Sequence, residues 1–293
     1  MVSVSILSSD LERLLQRQAL PAKTQSYQAW AEKLYTLAQA LDMSAIALPE
    51  PSLPMPLDYP EAPLIKTQEF AQTEQVTVAG PLLQAFDQFT RQQDVAPAEL
   101  LMAAFMWAYE RCLHQSSVTV AFESHGRSIP GQDCDVTHTL GWFVGHHYLG
   151  LAKQSGQTPR DVLAHTQALV RDLPVNGFNL FLAKYLKEFD CPKQQAQFDV
   201  QPQVGFHYST SSTAGSTAQV PLLVKRTALL KGILADLVPN SYPYPLVVSC
   251  VRKGDQLSIS LLYYSNQLKH STVQRLGSAI QEAVAMFAGE YLT

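Results

Sequence analysis

From Ile6 to Leu15 the apolar residues Ile6, Leu7, Leu11, Leu14 and Leu15 recur at three- and four-residue steps, the spacing that gathers side chains on one helical face. A second stretch, Ser26 to Leu41, keeps the same period. Ser26 suits the N-cap there, because its hydroxyl can accept from a backbone N–H two or three residues on that has no helical partner. Then Pro49, Pro51, Pro54, Pro56, Pro60 and Pro63 fall within fifteen residues. Each removes an amide donor and restricts the residue before it, so the pattern predicts an extended linker.

Beyond the linker the pattern predicts a strand over Gln75 to Ala79, a helix over Leu82 to Phe89 and a buried helix over Ala98 to Leu113. Ser117 to Phe122, rich in Val and Thr, reads as a short strand. Further strands are expected near Tyr148 and over Val204 to Tyr208, with a helix from Pro159 to Arg171 between them. Leu246 to Val251 and Leu257 to Tyr263, joined through Lys253, Gly254 and Asp255, read as a hairpin, and Thr272 to Phe287 as a closing helix. A hairpin demands an antiparallel pair, so the α/β chain is expected to carry a mixed sheet. The Ser/Thr-rich stretch from Ser209 to Gln219 reads as a loop.

Composition narrows the function classes. The 293 residues are 46% hydrophobic and 16% charged, ordinary for a globular chain, and the net charge of -4 supplies no basic footprint for nucleic acid. Cys112, Cys134, Cys191 and Cys250 form no Cys-x-x-Cys pair, which points to reduced thiols rather than a metal site or disulfide framework. No signal peptide or membrane-spanning run is seen, so a cytoplasmic protein without a membrane partner is expected.

The candidate chemistry sits at the end of the Ser117 to Phe122 strand, where Glu123, Ser124, His125, Gly126 and Arg127 follow one another. Ser124 and His125 are adjacent and would point to opposite faces of a continuing strand, and no Gly-x-Ser-x-Gly elbow occurs, so a Ser-His-Asp hydrolase is poorly supported. Five segments, in order, resemble one family. They are Lys23-Thr24-Gln25-Ser26 with Trp30-Ala31, then Phe122 to Arg127, then Thr139-Leu140-Gly141-Trp142-Phe143, then Leu173 to Phe178, then Phe206-His207-Tyr208. Together the chain is similar to the C-terminal half of the epimerization domain of nonribosomal peptide synthetases, a member of the condensation-domain superfamily. Phe122 to Arg127 resembles that family's Glu-Gly-His-Gly-Arg-Glu motif, and Phe206-His207-Tyr208 sits where the family has Phe-Asn-Tyr.

The resemblance implies the C-terminal lobe of a chloramphenicol-acetyltransferase-like two-layer sandwich over residues 74–293, with residues 1–73 as helices and linker left from the N-terminal lobe. It implies Glu123 as one acid/base group, with His125, Gly126, Arg127, Trp142, His207 and Tyr208 in support. The substrate would be an aminoacyl or peptidyl thioester on the phosphopantetheine of a peptidyl carrier protein, with no cofactor of the chain's own. Three departures bear on the site: Ser124 stands for a glycine, Ser128 for a glutamate and His207 for an asparagine. The family's His-His-x-x-x-Asp-Gly motif is expected to precede a stretch resembling Val2 to Leu7, which places it ahead of Met1. His146-His147 does not match it, because Leu151 occupies the Asp position. An N-terminal epimerization half or other synthetase domains are therefore expected partners. The competing readings are a catalytically silent carrier-binding or scaffolding module, or an acyltransferase of the same superfamily with another base. For single residues the bland alternatives are a solvated Glu123 beside Arg127, a structural His125, and Trp142 and Phe143 as core or channel wall.

Overall fold

A computed structural model describes residues 2–42, 46, 48–49, 52–65, 67, 69–127, 133–172, 178–188, 198–211 and 243–289. Leu173 to Gly177, Ser128, Cys191 and most of the Ser/Thr-rich loop, on which the sequence expectations also bear, lie outside these residues.

The elements run α1 (Val2–Leu15), α2 (Tyr27–Ala40), β1 (Ala71–Ala79), α3 (Gly80–Gln92), α4 (Pro97–Leu113), β2 (Ser117–Ser124), β3 (Gly145–Ala152) and α5 (Pro159–Arg171). They continue with α6 (Phe178–Tyr185), β4 (Val204–Ser211), β5 (Leu246–Lys253), β6 (Gln256–Tyr264) and α7 (His270–Gly289). Local chemistry explains several boundaries. Ser26 caps α2 by accepting from the Ala29 N–H. Thr158 and Asp161 form a reciprocal capping box at the start of α5, where Pro159 fills the first turn. Helix α6 was not legible, because its eight residues offer too few turns for a clear period.

The chain divides into two compact units, neither continuous in sequence. The first comprises Met1–Leu48, Glu123–Tyr148 and Leu173–Val200, the second Pro49–Phe122, Leu149–Asp172 and Gln201–Thr293. The divide expected between residues 73 and 74 falls inside the second unit, within β1.

The sheet is six-stranded, in the order β1-β6-β5-β4-β2-β3. Pairing of β4 with β5 is parallel, while β5 with β6 and β6 with β1 are antiparallel. It is thus the mixed sheet that the hairpin demanded. In the second unit, helices α3, α4 and α7 cover one face: Phe105 of α4 meets Phe206 of β4, and Arg252 of β5 pairs with Asp87 of α3 at 2.9 Å. Gly277 of α7 lies against Val76 and Leu261, which a larger side chain would crowd. Helix α4 is apolar nearly all round and buried, as its composition predicts. Its Glu99 is buried and held by Gln167 and Arg171 of α5, so the charge is compensated.

The proline-rich linker is strapped to the second unit. The Ser52 hydroxyl lies 2.8 Å from that of Thr119 and accepts from the Thr119 N–H, while Gln203 and Gln115 donate to the Leu53 and Pro54 carbonyls. In the first unit, Trp30, Leu34 and Ala38 of α2 form one core with Val136, Phe143, Phe178 and Leu182. Helix α1 differs: Leu7, Leu11, Leu14 and Leu15 are exposed.

Candidate functional site

Glu123 stands at the C-terminal end of β2, the second-last residue of the strand. It is half-buried, and among the described residues no hydrogen bond or ion pair engages its carboxylate. Arg127, four residues on, points elsewhere. Its Nη1 donates to the carbonyls of Val136 at 2.6 Å and Thr139 at 2.8 Å, and its Nη2 donates to the Ser3 hydroxyl at 3.2 Å. The guanidinium also lies 4.2 Å from the centroid of the Phe143 ring, a cation–π distance. Burial holds this guanidinium below the usual arginine range, and a planar fork that donates to several carbonyls suits the position.

Gly126 explains how the chain leaves the strand. Its φ is +60°, and a Cβ there would sit 1.6 Å from the Phe143 carbonyl oxygen, so the turn requires glycine. His125 is exposed, and its Nδ1 accepts from the Arg127 N–H at 3.1 Å. It therefore braces the turn, and the structure shows no bond from it to Glu123 among the described residues.

Trp142 and Phe143 part company. Phe143 is buried, edge-on to Tyr27 and Trp30 at 5.0 and 4.9 Å. Trp142 is 77% exposed, so of the two expected places, core or channel wall, the indole does not take the core one. The cause lies at Gly141: a Cβ would meet the Tyr27 ring at 2.4 Å, and the Ser3 hydroxyl donates to its carbonyl and accepts from its N–H. With that peptide pinned inward, the next side chain turns outward. His147 is buried edge-on to Phe178, and His146 stacks on Phe181 at 5.5 Å, so both serve packing.

His207 and Tyr208 belong to the second unit. As neighbours on a strand they face opposite sides of the sheet. The His207 Nε2 lies 2.9 Å from the Ser249 Oγ of β5. Tyr208 faces the helices, where burial raises its phenol above the ordinary range, opposed by Arg252 and supported by Asp87. The two residues thus do not share a site on one face. Ser249 was missed in the sequence, since a lone serine inside a strand carries no motif. Among the described residues no cluster of three His, Cys, Asp or Glu side chains is placed to hold a metal, and no helix is long and apolar enough to cross a membrane.

The family model described as Condensation domain matches residues 1–291. The chain belongs to the condensation-domain family. Within it, the chain is 27% identical to a linear gramicidin synthase of Brevibacillus parabrevis over 97% of its own length, and it spans 4% of that protein. It is 24% identical, over 75% of its length, to a protein of Fusarium equiseti named as an NRPS-like tryptophan epimerase, of which it spans 16%. Among solved structures, the epimerization domain from the third module of tyrocidine synthetase B aligns with a TM-score of 0.78 at 19% identity, covering 99% of this chain and 66% of that one. The condensation-domain chain therefore has the chloramphenicol-acetyltransferase-like fold that its motifs imply.

Proposed function

We propose that this condensation-domain chain forms part of an epimerization site for an aminoacyl or peptidyl thioester carried on the phosphopantetheine of a peptidyl carrier protein. One observation carries the reading. Glu123 ends β2 half-buried and unengaged among the described residues, because the nearby cation that would pair with it, Arg127, is committed to carbonyls and an aromatic ring. A carboxylate so placed is available to take the Cα proton of a thioester and return it, the role that general acid/base catalysis asks of it. Racemisation at one carbon needs a second group on the other face. We assign that group to the His-His-x-x-x-Asp-Gly segment of an N-terminal half, and the carrier and neighbouring synthetase domains to the role of partners.

The test is Cα deuterium uptake by an aminoacyl carrier domain in D₂O, measured with the chain alone and with an added N-terminal half of an epimerization domain bearing that motif. Exchange is expected only with both, and Glu123→Gln should lower it by about 10²–10⁴ without weakening carrier binding. Full exchange in Glu123→Gln overturns the assignment. Carrier binding with no exchange under any combination would instead support a silent carrier-binding module.

A further inference from the structure

Across the face of the sheet turned away from α3, α4 and α7 runs a polar row that the epimerization reading does not use. His207 on β4 pairs in register with Ser249 on β5, Ser249 with Ser260 on β6, and Ser260 with Gln75 on β1. Residues side by side in a sheet share a face, and Phe206, Val248 and Leu261, one step away on the same strands, point to the helices. His207, Ser249 and Ser260 are half-buried and Gln75 is exposed. Within this row a hydroxyl and an imidazole nitrogen stand 2.9 Å apart, 42 residues apart in sequence.

We infer that Ser249 and His207 form a nucleophile–base dyad that takes an acyl group from a thioester. The separation is that of a hydrogen bond through which a base can receive a proton. With the ring proton on Nδ1, Nε2 accepts from the Ser249 hydroxyl. In the reaction, Oγ bonds to the thioester carbonyl carbon while Nε2 takes the hydroxyl proton; the C–S bond breaks and the thiol leaves with the imidazolium proton. Water then attacks the seryl ester carbonyl and gives a proton to Nε2; the bond from the carbonyl carbon to Oγ breaks, Oγ takes that proton from the imidazolium, and the free acid leaves with Ser249 and His207 restored. Asparagine, which stands at the position of His207 in the resembling family, cannot accept that proton, so the histidine is the feature that adds this chemistry. The inference rests on the reading of the chain as acting on thioesters, and it places thioester hydrolysis beside epimerization.

The full chain is incubated with an aminoacyl N-acetylcysteamine thioester, with thiol release followed by absorbance and acylation by intact mass and peptide mapping. Thiol release above the buffer rate, with an acyl adduct on the peptide holding Ser249, is expected. Ser249→Ala and His207→Asn should each lower release by about 10²–10⁴, Ser249→Cys should restore an adduct, and Ser258→Ala should change nothing. Release at the buffer rate in the wild-type chain, or undiminished release in Ser249→Ala, overturns the inference and leaves the pair as a hydrogen bond that satisfies two strands. The probe has no carrier, so the two readings fail separately: hydrolysis without Cα exchange in the carrier assay supports the dyad and removes epimerization.

Discussion

The Arg127 guanidinium lies 4.2 Å from the centroid of the Phe143 ring while its Nη1 binds the carbonyls of Val136 and Thr139. One side chain thereby fastens the turn after β2 to the core that Trp30 and Phe143 build. It also leaves the carboxylate four residues earlier without its obvious counterion.

Arg127→Lys should separate charge from geometry. Lysine keeps the cation but loses the fork that reaches two carbonyls and the ring face. A loss of about 1–3 kcal/mol in urea unfolding is expected, in line with hydrogen bonds from a charged donor. An unchanged midpoint would mean that charge alone suffices there.

Gly126→Ala tests the backbone. The φ of +60° and a 1.6 Å approach to the Phe143 carbonyl oxygen act together, and the colliding atom is backbone that cannot rotate away. Destabilisation of about 2 kcal/mol or more is expected, read as a lowered thermal midpoint. Gly156→Ala is the comparison, because its φ is +81° but nothing lies within 4 Å of the added carbon. It should cost less.

Hydrogen exchange should rank the two N-terminal helices differently. Trp30, Leu34 and Ala38 of α2 are buried, whereas Leu7, Leu11, Leu14 and Leu15 of α1 are exposed. Amides of α2 are expected to exchange slowly, those of α4 more slowly still, and those of α1 fast, since opening α1 exposes little further apolar surface. Trp30→Ala should cost about 3–5 kcal/mol and bring α2 to the rate of α1.

Alkaline stability should track Cys250. Burial pushes its thiol from 9.0 up to about 12, so the unfolded thiol ionises first as the pH climbs. Between those values the unfolded state is favoured, and stability should fall by up to ~1.4 kcal/mol per pH unit from this group. Below pH 9 the contribution is flat. Urea titrations at pH 8, 9.5 and 11 should show the decline, reduced in Cys250→Ala, and an alkylating reagent at pH 8 should modify the half-buried Cys112 and Cys134 before Cys250.

The chain's order of helices and strands was legible because it is written in short-range periods. A long apolar run found α4, two apolar runs joined through Lys253, Gly254 and Asp255 found β5 and β6, and the Ser26 cap and the Pro159 start came from single residues with one local job. The place of Glu123 at a strand end and the turn at Gly126 were legible for a similar reason, since both lie in one contiguous segment. Tertiary structure alone decided the rest. Two units each assembled from distant segments cannot be read from periods that report only local neighbours. The exposure of Trp142, the commitment of Arg127 to Ser3, Val136 and Thr139, and the meeting of Ser249 with His207 depend on which distant backbone comes near. Packing fixes that, through which distant strands become neighbours and through close approach at glycine, and neither is written in a short-range period.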